Sequence, residues 1–337
     1  MKLVRYTVKE VGSPRIGLMT EAYMVDLSKA YASYLEEKGE AVGKEGESTI
    51  ADSVTEFLAK GKSATKLAQE VLNFVKGREK EMLGGAVLET GDVKLLAPIE
   101  DPPKILGLAG NYISHVREVR KDRPLPRDIF IFYKSSGPGI VGPDEPIVVP
   151  KSIEKLDYEL ELGVVIGKRG RYVPVEKAYD HVGGYTVFND VCDRYFLVDV
   201  PRWDWFGMKA QDSMSVFGPC IETNIDDPNN LKMTLKVNDE LRQDGHTSDM
   251  INPVPHVVSF VSSLVTLEVG DIIATGTCEG NAMTWGRREN IPSGGKWLKD
   301  GDVMEAWIEN IGTLRNTVKF EEVQYRCQDA REEKPAR

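Results

Sequence analysis

Apolar residues change their spacing along the chain. Residues 1 to about 30 read as short strands, LVRYTV, RIGLM and AYMVDL, parted by Gly12-Ser13-Pro14 and a Thr20-Glu21 turn. From about 50 to 84 the spacing turns helical. ADSVTEFLAKG and ATKLAQEVLNFVKGREKEML repeat apolar residues at three and four, with Val71, Leu72 and Val75 on one face and charges opposite. Gly84-Gly85 ends that stretch, and 39–48 (GEAVGKEGES) reads as an exposed linker. After Asp101-Pro102-Pro103 the pattern becomes one of short β-rich runs bounded by Gly, Pro, Asn or Asp: ILGLAG, DIFIFYK, PIVVP, YELELGVVIG, YTVFNDV, LKMTLKV, DIIATGT, DVMEAWIE and TVKFEE. Val237-Asn238-Asp239-Glu240 suits a hairpin turn, since Asn and Asp tolerate positive φ. VEKAYDHV and PHVVSFVSSLV interrupt the strands as helices. A doubly wound sheet would alternate strand and helix regularly, and this chain does not. The expectation is an α+β, mainly β protein. A small N-terminal α+β domain takes residues 1–100, a β-rich domain 101–323 and a charged tail 324–337.

Composition narrows the function classes. With 41% hydrophobic and 28% charged residues the chain can build a sizeable core, which excludes wholesale disorder. No apolar run approaches the ~18 residues of a membrane helix. The start, MKLVRYTVKE, lacks the apolar block of a secretory signal, so a cytoplasmic protein is expected. The 43 basic and 53 acidic residues give a net charge of −10, and only short basic pairs such as Lys168-Arg169 occur. Nucleic acid and membrane are poor partners for such a surface. Cys192, Cys220, Cys278 and Cys327 fit no zinc or C-x-x-C spacing and read as reduced thiols.

Familiar nucleotide and hydrolase motifs fail. Gly107-Leu108-Ala109-Gly110 and Ser136-Gly137-Pro138-Gly139 do not give G-x-G-x-x-G opening a helix. Gly163 to Lys168 is short of a phosphate loop, and Gly61-Lys62-Ser63-Ala64-Thr65 lacks the last glycine of a nucleophile elbow.

The segment Asp157-Tyr158-Glu159-Leu160-Glu161-Leu162-Gly163 carries more information. In a strand Glu159 and Glu161 project to one side, and the continuous apolar run behind them places the strand centrally. Two half-buried carboxylates repel and call for a positive partner; the plain alternative is a solvated face. A third acid, Asp190, ends the strand Tyr185-Thr186-Val187-Phe188-Asn189-Asp190. Three carboxylates with no nearby Cys or His make an all-oxygen set suited to a hard cation such as Mg²⁺, whose waters a chelating substrate can replace.

ILGLAGNYISHVREV, YELELGVVIGKRGR, GGYTVFNDV, LKVNDELRQDGHTSDM, LEVGDIIATGT and WLKDGDVMEAWIENIGTL follow one another in this order. In them, from about Pro103 to Val318, the chain resembles the fumarylacetoacetate hydrolase family, most closely its acylpyruvate hydrolase and oxaloacetate decarboxylase branch. The resemblance implies a mixed β-sandwich roll and a Mg²⁺ or Mn²⁺ held by Glu159, Glu161 and Asp190. It implies His115 and Glu118 as a catalytic pair. Three apart on a helical turn, they would share a face, and a carboxylate beside imidazole raises its basicity. It implies Lys209 near the substrate carbonyl, and Asn111, Tyr112, Arg194, Gly276 and Thr277 in substrate binding. It also implies a homodimer. The segment from His115 to Arg127 is charged, carries Pro124 and Pro126 and follows that pair, so it is expected to act as a lid that orders over the metal when a keto acid binds. His181, His246 and His256 show no ligand spacing and read as structural.

The departures lie where specificity would be set. Leu197 stands where the family often has glutamine, and Cys278 replaces the proline after Thr275-Gly276-Thr277. A long insert runs from Glu279 to Lys296, and Arg202-Trp203-Asp204-Trp205 adds aromatic bulk before Lys209. The expected activity is Mg²⁺-dependent hydrolysis of a C–C bond in a 2,4-diketo acid through a pyruvate enolate. Decarboxylation of an oxaloacetate-type acid, or isomerisation or dehydration of a related keto acid, uses the same enolate. A non-catalytic metal-stabilised binding protein is the rival of a different class.

Overall fold

The strand Leu160–Ile166 is buried at every residue, as a run apolar on both faces requires. It lies between Val182–Asp190 and Ile272–Thr277, antiparallel to both. The structure, a computed structural model, describes residues 1–8, 12–40, 50–79, 83–119, 121, 124–199, 203–291 and 294–322. Most of the expected linker (41–48), the tail 324–337 with Cys327, residues 120, 122 and 123 of the expected lid, and Arg202 lie outside the described residues.

Around that strand a 12-stranded sheet extends both ways. On one side it continues through Ser215–Glu222 to Lys2–Val8, Arg15–Met19, Met24–Asp26 and Val87–Leu88. On the other it ends with Ile105–Ala109 and Phe130–Lys134. Strands of the leading hundred residues thus share the sheet that carries the acidic segment. A second, 5-stranded sheet follows the order Glu240–His246, Lys232–Val237, Val303–Ile308, Gly312–Glu321 and Ile147–Pro150. Asn238 and Asp239 take φ of 49° and 65° in its tight turn, the conformation expected of that hairpin.

Strand alternation divides the core. Leu160, Leu162 and Val164 pack with Met233, Leu235 and Met304 of the second sheet. Val165, Phe188 and Ile272 face the other way and meet Phe57, Leu58, Ala68 and Val71. Those four come from the helices Val54–Lys60 and Lys62–Lys76, whose apolar stripe was visible in the sequence. The fold is therefore α+β and strand-rich, with two apolar layers around one principal sheet.

Some elements differ from the sequence reading. A helix, Leu27–Glu37, follows Asp26, whose carboxylate accepts from the Lys29 N–H at 3.0 Å and caps it. The strand Ser215–Glu222 was hidden by Gly218-Pro219, which reads as a turn. It is accommodated because the pairing with Val182–Asp190 shifts register between Tyr185 and Val187. The expected helix at VEKAYDHV is a tighter 3₁₀ segment, Val175–His181, and PHVVSFVSSLV lies in the helix Val254–Leu264.

Candidate active site

Register brings the three acids together. Leu160 pairs with Asn189, so Asp190 lands beside Glu159, and the Asp190 N–H donates to the Glu159 carbonyl at 2.8 Å. Glu159 precedes the strand rather than lying in it, and its N–H donates to Asn189 Oδ1 at 3.0 Å. Glu161 is the second strand residue. One carboxylate oxygen from each of Glu159, Glu161 and Asp190 lies within 4.8 Å of the others, and all three side chains are buried.

Such a cluster is unfavourable unless cations answer it. Lys209 Nζ bridges two of the acids, donating to Glu159 Oε2 at 2.5 Å and Asp190 Oδ2 at 2.6 Å. Arg194 pairs with Glu159 and, through Nε at 2.8 Å, with Asp157. Lys134, unremarked in the sequence, lies 2.7 Å from Asp190 Oδ1 and donates to the Val191 carbonyl at 2.8 Å. Burial works against the Glu159 charge, but Arg194 and Lys209 outweigh it and hold this carboxyl well below the usual range. Burial pushes Glu161 well above that range, with Asp190 and Glu159 adding to it. The Gly276 N–H at 2.7 Å and the Lys209 charge only partly offset this. Burial lowers Lys209, yet Asp190 and Glu159 prevail and raise it. Three converging carboxylates, one forced toward its proton by burial and by the other two, fit a hard divalent cation bound through oxygen.

His115 lies on the helix Ile113–Val119 and lines one cavity of about 360 Å³ with Glu159, Glu161, Lys209 and Thr277. Its charge contributes to holding Glu159 down. Glu118 is anchored from the insert: Arg288 pairs with Oε1, and the Gly280 N–H donates to Oε2 at 3.0 Å. Gly276 has φ of 91°, where an added Cβ would meet Asn111 Cβ at 3.0 Å. Thr277 Oγ1 donates to the Leu160 carbonyl at 2.9 Å.

Asn111 and Tyr112, expected at the substrate, support the site from behind. The Asn111 amide donates to the Thr275 carbonyl at 2.8 Å, and its oxygen accepts from the Asn252 N–H at 2.9 Å. Tyr112 is fully buried beside Met233 and Thr275. Neither lines the cavity. Arg194 does line it, with Nε and Nη2 engaged by acids. Reasoning from the sequence passed over two further residues. Asn281 caps the helix Ala282–Arg288 and donates from Nδ2 to Glu159 Oε1 at 3.0 Å. Gln243 accepts from the Leu160 N–H at 2.9 Å and donates to Thr277 Oγ1 at 2.9 Å. Asn281 could have been found by its capping pattern, Asn before an Ala-Met-Thr turn; Gln243 gives no local signal.

Residues 104–319 match the family described as fumarylacetoacetate (FAA) hydrolase, C-terminal. The chain belongs to the fumarylacetoacetate hydrolase family. It is 32% identical to the mitochondrial oxaloacetate tautomerase fahd2 of Xenopus laevis over 322 residues, 94% of this chain and 90% of that one. Among solved structures, fumarylacetoacetate hydrolase from psychrophilic Exiguobacterium antarcticum is 31% identical with a TM-score of 0.70, covering 95% of this chain and 100% of that chain. Maleylpyruvate hydrolase from Sphingobium sp. SYK-6, solved with manganese(II) and pyruvate, is 26% identical with a TM-score of 0.68, covering 96% and 100%.

Proposed function

We propose that the protein is a divalent-metal enzyme that hydrolyses a C–C bond of a 2,4-diketo acid by way of a pyruvate enolate. The observation that carries this reading is one cavity lined by Glu159, Glu161, the buried Lys209 and His115, with Asp190 converging on the same two carboxylates. Mg²⁺ or Mn²⁺ held by Glu159, Glu161 and Asp190 would supply Lewis-acid polarisation of the keto-acid head. His115 takes a proton from water as its oxygen adds to the distal carbonyl. Glu118, fixed by Arg288 and the Gly280 amide, holds its charge on the helix that carries His115. As the C–C bond breaks, its electron pair passes to the pyruvate fragment, and the Lys209 ammonium stabilises the enolate that forms. Protonation of that enolate carbon completes the reaction.

A second reading, tautomerisation of a 2-oxo acid, is favoured by the relative named oxaloacetate tautomerase, which matches nearly the whole chain. It uses the same head-group site and enolate but no attacking water. Wild type and His115→Ala separate the readings when pyruvate release and enol absorbance are followed with Mn²⁺ and Mg²⁺. Hydrolysis should fall roughly 10²- to 10⁴-fold in His115→Ala, as expected for a lost general base. Cleavage at the wild-type rate in that variant removes the role given to His115. Full activity in chelator removes the metal and favours a different protein altogether.

A further inference from the structure

The outer half of the cavity differs in chemistry from its floor. Trp205 opens the helix Trp205–Lys209, four residues before the lysine that bridges Glu159 and Asp190. Its ring packs against Phe130 and Phe132 with centroids 4.7 and 5.3 Å apart. Phe132 touches both regions, since Lys209 Nζ lies 5.1 Å from its ring centroid. Gly107 makes room for it: a Cβ there would come within 2.4 Å of the Phe132 ring. The apolar wall therefore begins at the lysine and runs outward to Trp203, which is 59% exposed. Leu197 and Met283 also line the cavity.

Charge points the same way. Among the described lining residues the cationic side chains are His115, Arg194 and Lys209. Arg194 and Lys209 are engaged by Asp157, Glu159 and Asp190 at the floor. Glu161 also lies with those floor acids, and among the described lining residues the acid outside that cluster is Asp128, exposed, which would repel a second carboxylate. We infer that the substrate is a monocarboxylic 2-oxo acid whose distal group is uncharged and apolar, of aromatic or branched-alkyl size. The head group lies at the acids and Lys209. The distal group lies against Trp205, Phe130 and Leu197, where it covers apolar surface now open to water.

This inference rests on the proposed 2-oxo acid site, and equilibrium binding tests the two separately. With Mn²⁺ present, 4-phenyl-2-oxobutanoate, 2-oxoglutarate and oxalate are titrated by calorimetry against wild type, Trp205→Ala and Leu197→Arg. The phenyl ligand should bind wild type roughly tenfold more tightly than 2-oxoglutarate, the scale of one buried apolar group. Trp205→Ala should erase the difference. Leu197→Arg, a change at a half-buried position, should shift the preference toward 2-oxoglutarate and report even if Trp205→Ala folds poorly. Equal or tighter binding of 2-oxoglutarate to wild type overturns the inference and leaves the keto-acid site standing. A phenyl preference that survives both substitutions also overturns it, because the wall would then lie elsewhere. Failure of all three ligands, oxalate included, removes the keto-acid site and the inference with it.

Discussion

Asn281 shows how much one amide can carry. Its oxygen accepts from the Thr284 N–H and starts a helix, while its NH₂ reaches Glu159 Oε1 at 3.0 Å. Asn281→Ser keeps a capping oxygen but loses the donor to Glu159. Partners of ligating carboxylates are typically worth 10- to 100-fold in metal affinity. Asn281→Ser should therefore weaken Mn²⁺ binding by about tenfold, read by calorimetry, with little change in thermal midpoint. Arg194 illustrates the opposite case. It resembles a residue for a substrate anion, yet in the structure it balances Asp157 and Glu159.

Among the elements, the end of Ile272–Thr277 is the most constrained. Gly276 turns its N–H toward Glu161 at a φ of 91°, and a Cβ there would crowd Asn111 and the Leu108 carbonyl. Gly276→Ala should cost about 1–3 kcal/mol in urea unfolding and weaken Mn²⁺ binding together, because strain at that φ displaces the donor. Sequence reasoning reached the acids because they sit on or just before one strand and on its immediate neighbour, where alternation and register are local rules. It reached His115 and Lys209 only through resemblance. It did not reach Lys134, Gln243, Asn281 or Arg288, whose partners lie on distant segments; Asn281 and Glu159 are 122 residues apart. Leu27–Glu37 was also missed, although Leu27, Ala30 and Leu35 are buried at helical spacing. The strand-like run ahead of it drew attention away from Asp26 as a cap.

For the whole molecule, part of the apolar core lies clear of the cavity. Phe57 is buried in the apolar layer among Val165, Phe188 and Ile272, and does not line the cavity. Phe57→Ala should cost about 3–5 kcal/mol in denaturant unfolding, the range for a large buried aromatic. The turnover of the remaining folded fraction should stay unchanged, which active-site titration would show. Lys209 has a consequence for how the protein would survive without the proposed ion. Because an ammonium already bridges Glu159 and Asp190, emptying the site does not leave three bare acids facing one another. Chelation should therefore act as a reversible off-switch rather than a route to denaturation, unlike small domains that only a metal keeps folded. A stripped sample returned to Mn²⁺ should recover its activity within the mixing time, at an unaltered circular dichroism spectrum. Slow or partial recovery would mean that the empty site had rearranged.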